Sequence, residues 1–168
     1  VAHRGSTGNP PEYNQSVREF DIVTMDRVKY MEIEAELSVW QDYARRANIH
    51  PAVSSYLALH PEHFYCMESN ADGKHFVTAR GWEDLSCILY SYESLKEPVT
   101  ELLFGEYLRK EAIARSFSLY YRWYEKEKKD PRLADFLTGK LTDPSLKESL
   151  SNAPLEERFA AASLIASF

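Results

Sequence analysis

The sequence has no apolar run approaching the about 20 residues that a membrane-spanning helix requires, and no apolar signal-peptide core opens it. No membrane partner is therefore expected. Cysteine is scarce: Cys66 and Cys87 are the only two, and they do not form a C-x-x-C pair. Two such thiols read as free residues of a reducing compartment rather than as a disulfide framework, so the cytoplasm is the expected location. Glycine is also sparse, with 6 residues in 168, too few for the turns of an all-β protein. An excess of positive charge is missing: 20 Lys and Arg face 26 Asp and Glu, a formal net charge of -6. Nucleic-acid phosphates call for a basic surface, so no nucleic acid is expected as a partner. There is no internal repeat and no low-complexity tract.

What the chain does have is apolar and aromatic material. Hydrophobic residues make up 44%, with 11 Tyr, 8 Phe and 3 Trp, enough to build an aromatic-rich core in one ordinary domain with a stub. Most of the patterning is helical. Ser38 is placed to cap a helix carrying Val39, Trp40, Tyr43, Ala44 and Ala47 on one face. Pro51 opens and Pro61 stops a helix with Val53, Tyr56, Leu57 and His60 on one side. Thr78 caps a helix running from Ala79 to about Leu95 with Trp82, Leu85, Ile88 and Leu89 inward. After the break at Pro98, helices are predicted over 99–108 and 109–129, the second striped by Ile113, Ser116, Phe117, Tyr120, Tyr121 and Tyr124. Pro131, Pro144 and Pro154 then punctuate three shorter ones. The one strand candidate is "VKYMEIEA", Val28 to Ala35, where side chains alternate; "ESNADGKHF" reads as a polar loop. The predicted class is mainly α: a helical bundle with at most one or two short strands.

"STGNPPEYNQ", Ser6 to Gln15, is a strand or helix terminator with almost nothing before it to terminate. Proline fixes φ, donates no hydrogen bond and pushes its predecessor out of the helical region. The chain is accordingly expected to be a piece of a longer protein. Further along stand Asp26-Arg27 ahead of the strand candidate, and Arg80 in the first turn of a helix, where the macrodipole disfavours a cation. Taken singly each has an ordinary explanation: a turn former, a surface ion pair, a solvated charge.

In this order, "NPPEYNQSVREFDIVTMDRVK", "WQDYARRANIHPAVSSYL" and "TARGWEDLSCIL" resemble the C-terminal part of an AAA+ ATPase, closest to a bacterial MoxR-like subgroup. The resemblance covers about Ser6 to Glu93 and rests on order and spacing rather than on any one motif. It implies that residues 1–36 are a remnant of the ATPase core and supply any strands, that 37–97 form the helical lid, and that 98–168 are a helical extension. Asn9 then matches sensor 1, whose amide meets the γ-phosphate or the attacking water. Arg27 matches the arginine finger that reaches nucleotide on a neighbouring subunit, and Asp26 would orient it. Arg80 matches sensor 2, coupling the lid to nucleotide state, with Thr78 as its cap and Trp82 in the core. "VAHRG" departs from the β-branched strand the family has before Asn-Pro. ATP and Mg²⁺ are implied for the parent chain. None is expected on this piece, which has no G-x-x-x-x-G-K-[ST] phosphate loop and no apolar run ending in paired acids, and which should not hydrolyse ATP alone. The implied partners are neighbouring subunits of a homo-oligomeric ring and a client such as a von Willebrand A-type protein, remodelled or loaded with metal in a chaperone-like cycle.

Three other readings were open. His50, His60, His63 and His75 with Glu62 and Cys66 offer metal-ligand types, but Pro61 opposes a helix-borne pair, so no metal ligand is expected. The tyrosine stripe could stack nucleobases, yet its helical spacing and alternating charges favour core packing. The rival functional reading is a non-catalytic helical interaction module, with an exposed apolar patch on the tail helices and ordinary ion pairs for the arginines.

Overall fold

A computed structural model of the chain describes residues 22–27, 31, 33–70, 73–129, 148 and 151–166. The chain divides into two compact units, Val1–Glu34 and Ala35–Phe168.

In the first unit the described part comprises a single helical turn, α1 (Ile22–Met25), and exposed flanking residues. The strand predicted over Val28–Ala35 is not seen where the chain is described: Met31 and Ile33 to Ala35 adopt no regular structure. Residues 28–30 and 32 lie outside the described residues. Met31 and Ile33, both on the same side of the predicted alternation, are exposed. An isolated strand has no ladder to satisfy its backbone and no face to bury, so alternation alone does not hold it.

The second unit is mainly α with one antiparallel hairpin. Its elements are α2 (Leu37–Arg46), α3 (Pro51–Leu59), a 3₁₀ turn (Pro61–His63), β1 (Cys66–Asn70), β2 (Gly73–Val77), α4 (Ala79–Leu95), α5 (Glu101–Tyr107), α6 (Glu111–Lys128) and α7 (Leu155–Ala166). The hairpin pairs Cys66 with Val77 through Asn70 with Gly73. The Phe76 N–H adds one further bond to the Arg109 carbonyl at 3.3 Å. Within "ESNADGKHF", Glu68–Asn70 and Gly73–Phe76 are thus strand rather than loop, and Lys110 Nζ braces the hairpin by donating to Cys66 Sγ and to the Glu68 carboxylate.

Helix ends follow local chemistry. Ser38 lies inside α2, hydrogen-bonded to Glu36, so the expected serine cap is replaced by Glu36, which makes no side-chain capping bond. At the other end Asn48 takes a left-handed φ of 54°, and the Ile49 N–H returns to the Ala44 carbonyl at 3.0 Å. Asparagine tolerates that conformation better than most residues. Helix α4 closes the same way with Lys96 at φ 58° and the Glu97 N–H on the Tyr92 carbonyl.

Helices α3, α6 and α7 pack together, as do α5 with α6 and α4 with α5. The helices of 37–97 and 98–129 therefore share one core. At its centre Trp82, Tyr56 and Phe117 are fully buried. Phe117 meets Trp82, Tyr56 and Phe104 edge-on, with ring centroids 5.1–5.3 Å apart. Edge-to-face contacts are the arrangement aromatic quadrupoles favour. Tyr120, Tyr121 and Tyr124 are buried with them, so the tyrosine stripe is core, as its spacing indicates. The segment after Pro131 lies outside the described residues; after Pro144 the described residues Glu148, Ser151 and Asn152 are helical, and the helix after Pro154 is α7. Among the described residues no helix is long and apolar enough to cross a membrane.

Candidate functional site

The start of α4 places four consecutive roles in five residues. Thr78, in extended conformation, accepts the Gly81 N–H on its hydroxyl at 3.2 Å and so satisfies one of the helix's free donors. Arg80 follows on the outer side, exposed, with no ion pair or hydrogen bond among the described residues. Gly81 then turns inward. A Cβ there would lie 2.8 Å from the Tyr107 carbonyl oxygen, so only glycine lets α4 approach the end of α5 this closely. Trp82 anchors the turn: its ring is fully buried, and its indole N–H is shared between the His63 and Phe64 carbonyls at 3.3 and 3.2 Å.

Of the other expected site residues, Asp26 and Arg27 occupy the turn after α1, both exposed, with the Asp26 N–H on the Ile22 carbonyl at 3.1 Å. Neither side chain has a partner among the described residues. They belong to the first unit and Arg80 to the second, each described by itself. Asn9 lies outside the described residues.

The far end of α4 carries a polar knot that the sequence reading missed. His50 is 1% exposed. Its backbone N–H donates to Ser86 Oγ at 2.7 Å, its Nδ1 accepts the Ala52 N–H at 3.2 Å, and its Nε2 faces the Glu93 carboxylate at 3.1 Å. An acceptor at Nδ1 leaves the proton on Nε2, so the neutral ring donates to Glu93. Burial lowers the His50 pKa against the opposing pull of Glu93. Burial also pushes Glu93 upward, but hydrogen bonds from Lys128 (Nζ at 2.6 Å) and His50 outweigh it and leave its pKa below the ordinary value. The signal available in sequence was "HP": a side chain able to cap, immediately before a proline at the first helical position.

A third cluster lies where α3 ends. His60 Nδ1 is 3.3 Å and His63 Nε2 3.7 Å from the same Glu62 oxygen, and the three donor atoms all fall within 4.8 Å of one another. Pro61 opposes an α-helical pair but starts a 3₁₀ turn, in which residues three apart eclipse. The two imidazoles accordingly stack, with centroids 5.1 Å apart at 20°. Burial lowers the His63 pKa, while the Glu62 carboxyl is held below its usual range first by its own backbone N–H and then by His60. His50 and His75 stand outside this group, and Cys66 is not part of it. Both cysteines are free thiols, Cys66 half-buried and Cys87 exposed.

No family model matches the chain, and neither a curated protein nor a solved structure matches it.

Proposed function

We propose that the chain is the lid-containing C-terminal part of a MoxR-like AAA+ ATPase, which in its full form couples ATP hydrolysis in a homo-oligomeric ring to remodelling of, or metal insertion into, a client protein. The observation that carries this reading is the first turn of α4. The "TARGW" stretch that resembles a sensor 2 motif forms a capped turn whose single cation is exposed and has no ion pair among the described residues. Exposure alone does not single Arg80 out, since Arg109 and Arg158 are also exposed. Its place does: a cation in the first turn opposes the helix dipole, and an anion brought there would be met by both the guanidinium and the free backbone N–H groups. In the proposal Arg80 senses ATP phosphates across the lid, Arg27 acts on nucleotide held by the next subunit with Asp26 orienting it, Asn9 contacts the γ-phosphate, Mg²⁺ accompanies ATP in the parent chain, and the cycle runs in the cytoplasm. A von Willebrand A-type protein is the proposed client class.

The interaction-module reading draws on a different observation: Leu102 on α5, Leu119 on α6, and Leu155 and Phe159 one turn apart on α7 are exposed. Appended helices that engage a partner are compatible with an ATPase, so the two readings combine.

The test is Arg80→Ala in the longest native reading frame containing this chain. The expected result is ATP turnover that no longer responds to the client, or falls at least tenfold, with the variant's melting temperature preserved. Turnover and coupling equal to wild type would remove Arg80 from the nucleotide site.

A further inference from the structure

Among the described residues one convergent set of metal-ligand atoms stands outside the ATPase reading. We propose that His60, Glu62 and His63 form a binding site for a borderline divalent cation, Zn²⁺, with at least one coordination position left to water. The inference is independent of the ATPase reading.

Spacing is the first argument. In a tetrahedral site with zinc–ligand bonds of about 2.0–2.1 Å, neighbouring ligand atoms stand roughly 3.3 Å apart. Glu62 Oε1 is 3.3 Å from His60 Nδ1 and 3.7 Å from His63 Nε2, so two edges of that tetrahedron are already near their final length. The third pair lies within 4.8 Å, on rings that are already stacked, and is the one edge a bound ion would have to draw in. Two imidazoles and one carboxylate are a ligand set that suits zinc and leaves a fourth position open.

Support behind the ligands is the second argument. A ligating imidazole normally has its other nitrogen held by a hydrogen bond that fixes ring orientation. His63 has this: its Nδ1 meets the Tyr56 hydroxyl at 2.7 Å, which leaves Nε2 for the metal. Tyr56 is itself fully buried between α3 and the core aromatics. The backbone of the turn is pinned as well, through the Trp82 indole on the His63 and Phe64 carbonyls. His60 and His63 are about a quarter exposed and Glu62 is 63% exposed, so the site opens to solvent on its carboxylate side. An ion can enter without unfolding anything. Once bound, it would join the end of α3 to the segment that leads into β1.

The experiment is calorimetric titration of the purified, metal-stripped chain with ZnCl₂ alone at neutral pH, with Co²⁺ absorption as a second readout. Saturable one-to-one binding and the visible bands of four-coordinate Co²⁺ are expected. His60→Asn and Glu62→Gln, both at partly exposed side chains, should each weaken Zn²⁺ binding at least tenfold with unchanged far-UV circular dichroism. Tyr56→Phe keeps the ring and removes only the hydroxyl; it should weaken binding by about tenfold through His63. His75→Asn, outside the cluster, should leave affinity as it is. Absence of saturable binding would overturn the proposal. So would equal losses in His75→Asn and His60→Asn, or wild-type affinity in both His60→Asn and Glu62→Gln.

Discussion

The two ends of α4 spend their polar groups in opposite ways. At the C-terminal end every partner is internal: Glu93 receives Lys128 and His50, and His50 in turn is fixed by Ala52 and Ser86. At the N-terminal end Thr78, Gly81 and Trp82 are committed to cap, close approach and core, while Arg80 between them is committed to nothing among the described residues. Fixed neighbours around such a charge are what the proposed phosphate-sensing role of Arg80 calls for. The charged groups at the other end are consumed in holding the fold. The difference separates charges that stabilise this protein from charges available to a ligand.

That contrast makes graded claims. Glu93→Ala should have the largest effect, a loss of about 2–3 kcal/mol in denaturant unfolding, because it strands a buried imidazole donor. Gly81→Ala comes next, at roughly 1–3 kcal/mol, since the new methyl group meets backbone rather than a yielding side chain. If Gly81→Ala proved neutral, the tight seat of the α4 start on α5 would be wrong.

The pH response follows from His50. Its folded-state pKa lies below the unfolded value of about 6.5, so the unfolded chain binds the extra proton and stability falls as pH drops below that value. The groups facing the ring are Glu93 from α4 and Lys128 and Glu125 from α6, with Tyr90, Tyr121 and Tyr124 around it. Melting temperatures of wild type and His50→Gln between neutral and mildly acid pH should converge as pH falls. His63, also lowered, acts equally in both and cancels. Parallel curves would show that His50 does not titrate as described. The smallest effect belongs to Arg80→Ala. Removing a cation from a helix start should leave stability unchanged or raise it by about 0.3 kcal/mol.

Much of this was legible in the residues. Prolines at 51 and 61, Thr78 before "ARGW", and the 3–4 spacing of Trp82, Leu85 and Leu89 or of Phe117, Tyr120 and Tyr124 mark helices whose ends and inner faces are those observed. These signals are local, and the core agrees with them. What escaped notice depends on tertiary partners. The 66–77 hairpin is polar enough to resemble a loop until Lys110 and the Arg109 carbonyl brace it. The 28–35 alternation looks like a strand, but the residues described there form none. His50 and His60 look alike in sequence, each beside a proline. One becomes a buried cap and the other half of a stacked pair only through what Glu93, Ser86 and Tyr56 bring from elsewhere.

The central claim is tested most directly by steady-state ATP turnover with Mg²⁺ on this chain and, in parallel, on the longest native reading frame that contains it. The account predicts turnover in the long form only, abolished by Arg27→Ala with nucleotide binding retained. No turnover in the long form, with no phosphate-cradling loop upstream, or full turnover in Arg27→Ala, would contradict it.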